Sequence, residues 1–220
     1  MMSPRRRQQD RSAATRTALI TAARQLFTER GYAAVPAEDI VATAGLTRGA
    51  LQHHFGDKRE LLRAVFEQLE TETTSQVATA IAGAADSWAA ATRGLSAFLD
   101  ACQDPAVIQI ALTDAPAVLG WAEWRAIEAE HGLGLITAGL DQAMAEGVII
   151  AQPVSVLAHL ILSAVIEAAL LVARAPDTHA ARADAEQALL ALLTGLRVPQ
   201  PSATPDPDRR QFPPHQNTTV

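Results

Sequence analysis

A single cysteine, Cys102, stands among the 220 residues, so no disulfide closes within the chain and no cysteine-clustered zinc site exists. Aromatic side chains are almost as scarce, at 4%. Glycine and proline, 12 each, fall short of a collagen-like or low-complexity composition. No window alternates with period two in β-branched residues, so no strand is expected. No unbroken apolar stretch follows Arg5-Arg6-Arg7 before Arg24, which argues against a secretory signal and predicts a reducing, cytoplasmic setting. What the chain has in plenty is alanine, 46 residues, within 49% hydrophobic and 19% charged side chains. Alanine is the best helix former and a poor strand former, so an all-α protein with a real core is expected.

The net charge of −6 hides an asymmetry. Residues 1–63 carry 11 cations and 6 anions, a balance of +5, while the other 157 carry 7 and 18, a balance of −11. A basic module on an acidic body suits contact with a polyanion at one end only. Chance clustering of arginines near a terminus gives the same count.

Residues 1–11 are polar and arginine-rich and are expected to form a flexible arm. Leu19, Ile20, Ala23, Leu26 and Phe27 fall at helical spacing, which predicts a helix over 15–30 that Gly31 stops. Pro36, the acids Glu38 and Asp39, and Gly45 bracket a short second helix. Thr47 is placed to cap another over 48–53, and Asp57-Lys58-Arg59-Glu60 has the form of a capping box opening a longer one. These elements make a first domain over 12–63. Further helices over 88–102, 105–113, 121–145, 154–173 and 178–196 make a body over 64–197. From 198 to 220 the chain turns to proline among polar residues, cannot build a core, and is expected to be disordered. The segment 154–173 matches the length of a membrane span, but His159 and Glu167 interrupt it. A helix buried between neighbours and a partner subunit is the expectation, with no membrane.

Two short helices joined by Gly45-Leu46-Thr47, after a longer helix, have the layout of a helix-turn-helix. Ile40, Val41, Leu46, Leu51 and Phe55 are suited to pack it. Thr47, Arg48, Gln52 and His53 are left facing outward, and small residues at Gly49 and Ala50 let a helix lie deep in a major groove. Arg48 and Gln52 are donors of the kind that read guanine and adenine edges or hold phosphates. Spacing alone is equally open to an ordinary helical hairpin. One such motif reads only a few base pairs, so a double-stranded, pseudo-palindromic operator bound by a homodimer is expected.

Three blocks carry a closer likeness: Ala22-Ala23-Arg24-Gln25-Leu26-Phe27-Thr28-Glu29-Arg30-Gly31-Tyr32, then Asp39-Ile40-Val41-Ala42-Thr43-Ala44-Gly45-Leu46-Thr47-Arg48-Gly49-Ala50-Leu51, and His53-His54-Phe55-Gly56-Asp57-Lys58-Arg59-Glu60-Leu61-Leu62. Over residues 15–62 the chain resembles the N-terminal domain of the TetR/AcrR family of bacterial transcriptional regulators. The resemblance implies a three-helix helix-turn-helix domain on a helical-bundle body for ligand binding and dimerisation. Thr47, Gln52, His53 and Lys58 match phosphate-contacting positions, and Arg48 and Gly49 match positions facing the groove. The chain departs from the pattern twice: Gln52 stands where the family usually has tyrosine, and Val35-Pro36 stand where it favours a hydroxyl residue.

The resemblance also implies an effector pocket in the body, where Trp88, Phe98, Trp121, Trp124, His131 and His159 are the candidate walls, although tryptophans at helical spacing equally make core. The effector expected is a small apolar or cationic molecule, the alternative being a constitutive repressor with none. The last two helices are expected to form the dimer interface through Leu157, Leu160, Ile161, Val165, Leu189, Leu192, Leu193 and Leu196. No cofactor, metal site or catalytic residue is expected. The only adjacent nucleophile or base candidates, His53-His54, are absorbed by the DNA motif, and Cys102 has no neighbouring cation to activate it.

Overall fold

The computed structural model describes residues 4–199, with side chains from residue 8 onward. Among the described residues there are nine helices and no strand. Helix α1 (Pro4–Arg30) starts on a proline, whose fixed φ and missing N–H suit a first helical turn. It takes in the residues from 4 to 11, so this part of the expected arm is helical. Leu19, Ile20, Ala23, Leu26 and Phe27 are all buried along one face, as their spacing predicts.

Helices α2 (Ala37–Thr43) and α3 (Arg48–Phe55) follow, then α4 (Lys58–Ile81), which crosses from the N-terminal domain into the body. Half of the predicted capping box forms at the head of α4. The Asp57 carboxylate accepts from the Glu60 amide at 2.8 Å, while the Glu60 carboxylate turns to Arg59 at 3.0 Å. Helices α5 (Ser87–Ala101), α7 (Trp121–Ala145), α8 (Val154–Arg174) and α9 (Thr178–Thr194) lie within a residue or two of expectation. The expected tail lies, apart from residues 198 and 199, outside the described residues.

Helix α6 (Val107–Leu119) runs through the break expected at Asp114 to Pro116. Its first part, Val107–Asp114, is wound as a π-helix, and Ala115–Leu119 is α-helical. Pro116 has no N–H to give a carbonyl on the preceding turn, and the Trp124 indole supplies the donor instead, bonding the Ala111 carbonyl at 2.9 Å. After α9 the chain turns back along the segment following α7. Ile150 N–H donates to Leu196 and Val198 N–H to Val148, both at 3.0 Å, so Leu196 sits in a short pairing rather than in the expected end of the helix.

One core joins the first domain to the body, with Phe27, Leu61, Phe66, Ile110 and Trp124 fully or almost fully buried in it. Helix α8 is long and apolar enough to cross a membrane, yet Ala158, Leu162, Ile166 and Ala169 are buried against its neighbours. Val156, Leu160 and Leu171 of the same helix stay exposed.

Candidate functional site: a helix-turn-helix face and a cavity in the body

The turn between α2 and α3 is built by hydrogen bonds that only a left-handed residue allows. Gly45 has φ +66°; its amide donates to Ala42, and the Leu46 amide reaches back to Val41 at 2.8 Å. This is a Schellman ending, in which the residue after the cap takes the conformation that glycine adopts without strain. Ile40, Val41 and Leu51 are buried beneath the turn. Thr47 caps α3 in an extended conformation, and its hydroxyl makes no cap hydrogen bond. Thr47, Arg48, Gly49, Gln52 and His53 are all exposed along the start and outer side of α3. A side chain at Gly49 would meet nothing closer than the Thr47 hydroxyl at 3.7 Å, so the helix presents bare backbone there.

Arg48 is held only by an exposed ion pair to Glu38 at 2.8 Å, an interaction weak enough to give way to a ligand. His53 and His54 meet edge to face at 5.1 Å, with His54 half-buried. Lys58 is placed differently from the other expected contacts. Its Nζ donates to the carbonyls of Tyr32 and Val35 at 2.9 and 2.8 Å and lies 3.9 Å over the Tyr32 ring. Burial pulls its pKa below the usual lysine value. The lysine thus locks the loop between α1 and α2. Sequence reasoning missed Arg16: from α1 its guanidinium lies 5.1 Å over the ring of Phe55, at the end of α3. The pairing of residues 16 and 55 is a tertiary fact that helical spacing does not carry.

In the body, α4, α5, α6, α7, α8 and α9 line a cavity of about 340 Å³ with a mostly apolar wall. Trp88 and Phe98 line it, as expected. Arg197 covers the Trp88 ring at 4.8 Å. The other four candidates lie elsewhere. Trp124 is fully buried in the main core, where its indole satisfies α6. Trp121 is 65% exposed and packs on Trp124 with ring centroids 5.0 Å apart. His131 is half-buried outside the cavity wall, and exposed His159 bonds the Ser155 carbonyl of its own helix at 2.8 Å. The polar residues that do line the cavity were not anticipated: Glu70, Thr73, Thr74, Ser87, Cys102, Glu128 and Gln142. Burial raises the Glu70 pKa to about 7 and that of Glu128 to about 8, the Glu70 charge adding to the second and Arg125 opposing it. Burial and both carboxylates push the Cys102 thiol far up, so it stays protonated. Glu70 and Glu128 sit 58 positions apart in the chain, and no local signal joins them.

The eight residues expected at a dimer interface line one apolar groove between α8 and α9. Leu160 and Leu192 are exposed at its rim, at 62% and 67%, while Leu189 is buried. Polar ties link the cavity walls to the first domain, among them Arg24 of α1 with Glu72 of α4 at 2.6 Å. Asp114 of α6 accepts from the Tyr32 amide at 2.8 Å. Arg59 and Arg63 of α4 pair with Glu123 of α7, and Arg59 also reaches the Leu119 carbonyl at the end of α6. Among the described residues no group of three or more metal-ligating side chains occurs.

Comparison with known proteins agrees with this architecture. The family described as bacterial regulatory proteins, tetR family, matches residues 19–65, and the tetracyclin repressor-like C-terminal domain matches residues 88–196. The chain is 29% identical over 160 residues to the transposon Tn10 TetC protein of Escherichia coli, covering 73% of this chain and 81% of that one. It is 45% identical to the HTH-type transcriptional regulator CymR of Pseudomonas putida over 76 residues, 34% of this chain and 37% of that protein. A crystal structure of a TetR-family transcriptional regulator from Pectobacterium atrosepticum superposes with a TM-score of 0.78 at 36% identity, covering 86% of this chain and 97% of that one. With the helix-turn-helix on a helical body, and matches that run through both, the chain belongs to the TetR family of DNA-binding transcriptional regulators of the repressor type.

Proposed function

We propose that this regulator binds a pseudo-palindromic operator as a homodimer and leaves it when a small molecule enters the cavity of the body. The observation that carries the reading is the position of that cavity. Two of its walls, α4 and α6, are the helices that hold the DNA-binding domain, through Asp114 on Tyr32 and through Arg59 and Arg63 at the head of α4. A ligand releases DNA only if it binds the spread arrangement of the two heads more tightly than the DNA-bound one. A cavity whose walls change shape when the heads move meets that condition.

On the DNA side, Thr47, Gln52 and His53 take phosphates, and Arg48 with the bare backbone of Gly49 faces base edges. Arg16 adds a phosphate contact beside α3, and Lys58 acts by holding the loop in register. The α8–α9 groove supports dimerisation, since pairing with a second copy covers Leu160 and Leu192, and a two-fold dimer reads two half-sites about one helical turn of DNA apart.

The test is operator binding by the purified chain to its own upstream DNA, followed by fluorescence anisotropy, while a set of apolar and cationic compounds is titrated in. Release of DNA together with a change in tryptophan emission supports the reading. Operator binding that no compound perturbs, with Phe98 and Trp88 substitutions affecting only stability, leaves a constitutive repressor.

A further inference from the structure

An apolar cavity needs no carboxylates, yet this one has two. Glu128 is only 4% exposed; its Oε2 is held by Arg125 at 3.1 Å, and among the described residues nothing donates to its other oxygen. Glu70 also lines the cavity, and among the described residues no hydrogen bond or ion pair reaches its carboxyl. Among the described residues the only other titratable group in the wall is the neutral thiol of Cys102, at the end of α5. Helices α6, α8 and α9 contribute apolar side chains alone, and among the described residues Arg125, shared with Ser163 of α8, is the one cation paired with either glutamate. Two carboxyls therefore stand against one guanidinium, within a mostly apolar wall whose other polar groups, Thr73, Thr74, Ser87 and Gln142, are neutral.

We propose that the cavity selects a lipophilic organic monocation, its apolar body packed on Phe98 and the aliphatic wall and its charged nitrogen held by the carboxylates of Glu70 and Glu128. This rests on the effector reading above and names the class of effector. The charge balance gives the reason for the selectivity. Without ligand, burial keeps the pair near the edge of ionisation, with pKa values of about 7 and about 8. A bound cation stabilises the ionised forms, so its entry expels protons and its affinity rises with pH up to about 8. A neutral molecule of the same shape removes water from the carboxyls without repaying the charge. It favours the protonated pair, and its affinity falls over the same range.

The two signs are separated by calorimetric titration of the full chain with trimethyl(naphthalen-2-ylmethyl)ammonium, a permanent cation, and with 2-naphthalenemethanol, its neutral counterpart. Titrations at pH 6, 7 and 8, in two buffers of different ionisation enthalpy, count the protons released. The expected result is a cation bound about ten-fold or more tightly than the alcohol at pH 8, with affinity rising from pH 6 and up to about two protons released at pH 6, falling to less than about one at pH 8. Glu70→Gln combined with Glu128→Gln should abolish both the preference and the proton release, in a variant whose cooperative thermal unfolding shows it folded. Glu70→Gln alone should reduce both, should the double variant not fold. Equal affinities, a flat pH profile, or a preference that survives the substitutions overturns the proposal. If the alcohol binds and releases operator DNA while the cation does not, cation selection fails and the effector reading stands. If neither probe binds, both fail.

Discussion

The first domain and the body treat charge in opposite ways. Around α2 and α3, acids sit outside beside arginines, Glu38 with Arg48 and Asp39 with Arg30 at 2.9 Å, in pairs that water screens and that a phosphate can replace. In the body, Glu70 and Glu128 sit in an apolar wall, where solvation is poor and the protonation state becomes part of the chemistry. The difference is one of exposure: the head keeps its ion pairs at the surface, where water screens them, whereas the body holds two carboxyls in a mostly apolar wall whose burial favours their protonated forms.

The sharpest break between core and cavity is among the aromatics. Trp124→Ala removes a fully buried indole and orphans the Ala111 carbonyl, so a loss of about 3–5 kcal/mol in unfolding free energy is expected in a denaturant titration. Phe98→Ala, which opens onto an existing cavity, should cost less than Trp124→Ala and change ligand affinity instead. A Phe98 loss equal to that of Trp124 would erase the distinction between core and wall.

The second effect is on pH dependence. Both glutamates have folded pKa values raised above the ordinary 4.5, so the folded state binds more protons than the unfolded one between about 4.5 and 8. Their contribution is therefore fully favourable below that window and is lost as pH rises through it. Unfolding free energy of the ligand-free chain should fall from pH 5.5 to 8.5, and Glu70→Gln should recover up to about 3 kcal/mol at pH 8. A variant with the same slope as the parent would show the carboxyl to be solvated.

The smallest effects lie on the DNA face. Arg48→Ala should cost about 1–3 kcal/mol on the operator and less on random DNA, while Arg16→Ala should weaken all sequences alike and reduce the salt slope by about one. Lys58→Met should lower stability and leave the salt slope nearly unchanged, because its Nζ is bonded to Tyr32 and Val35 rather than lying open to DNA. Equal losses on operator and random DNA for Arg48→Ala would make it a positioning contact only.

How far each region was legible in the sequence follows the same divide. The helix-turn-helix is written in local chemistry: Gly45 at the left-handed turn, Asp57 at a cap, and Leu19 to Phe27 at helical spacing all act within a few residues of themselves. The apolar groove between α8 and α9 was legible for a similar reason, since two helix stripes of leucine need only their own periodicity to be found. The cavity was not. Trp121, Trp124, His131 and His159 were sensible walls by size and polarity, but which way each points depends on the crossing of α6, α7 and α8 and on a π-wound segment around Pro116. Glu70 and Glu128 look in sequence like ordinary solvated positions on long helices, and only the packing of α4 against α7 puts them in one wall. The two backbone carbonyls that Lys58 bonds were not legible either, because a basic residue at the head of α4 gives no sign of them.

The central claim is that the cavity and the DNA face are one coupled system. It is tested most directly by measuring operator affinity of the full chain, by anisotropy, with and without a compound already shown by calorimetry to occupy the cavity. The account predicts a loss of at least five-fold at ligand saturation, the low end of ordinary coupling between two sites. Ligand bound to saturation with operator affinity unchanged would contradict it.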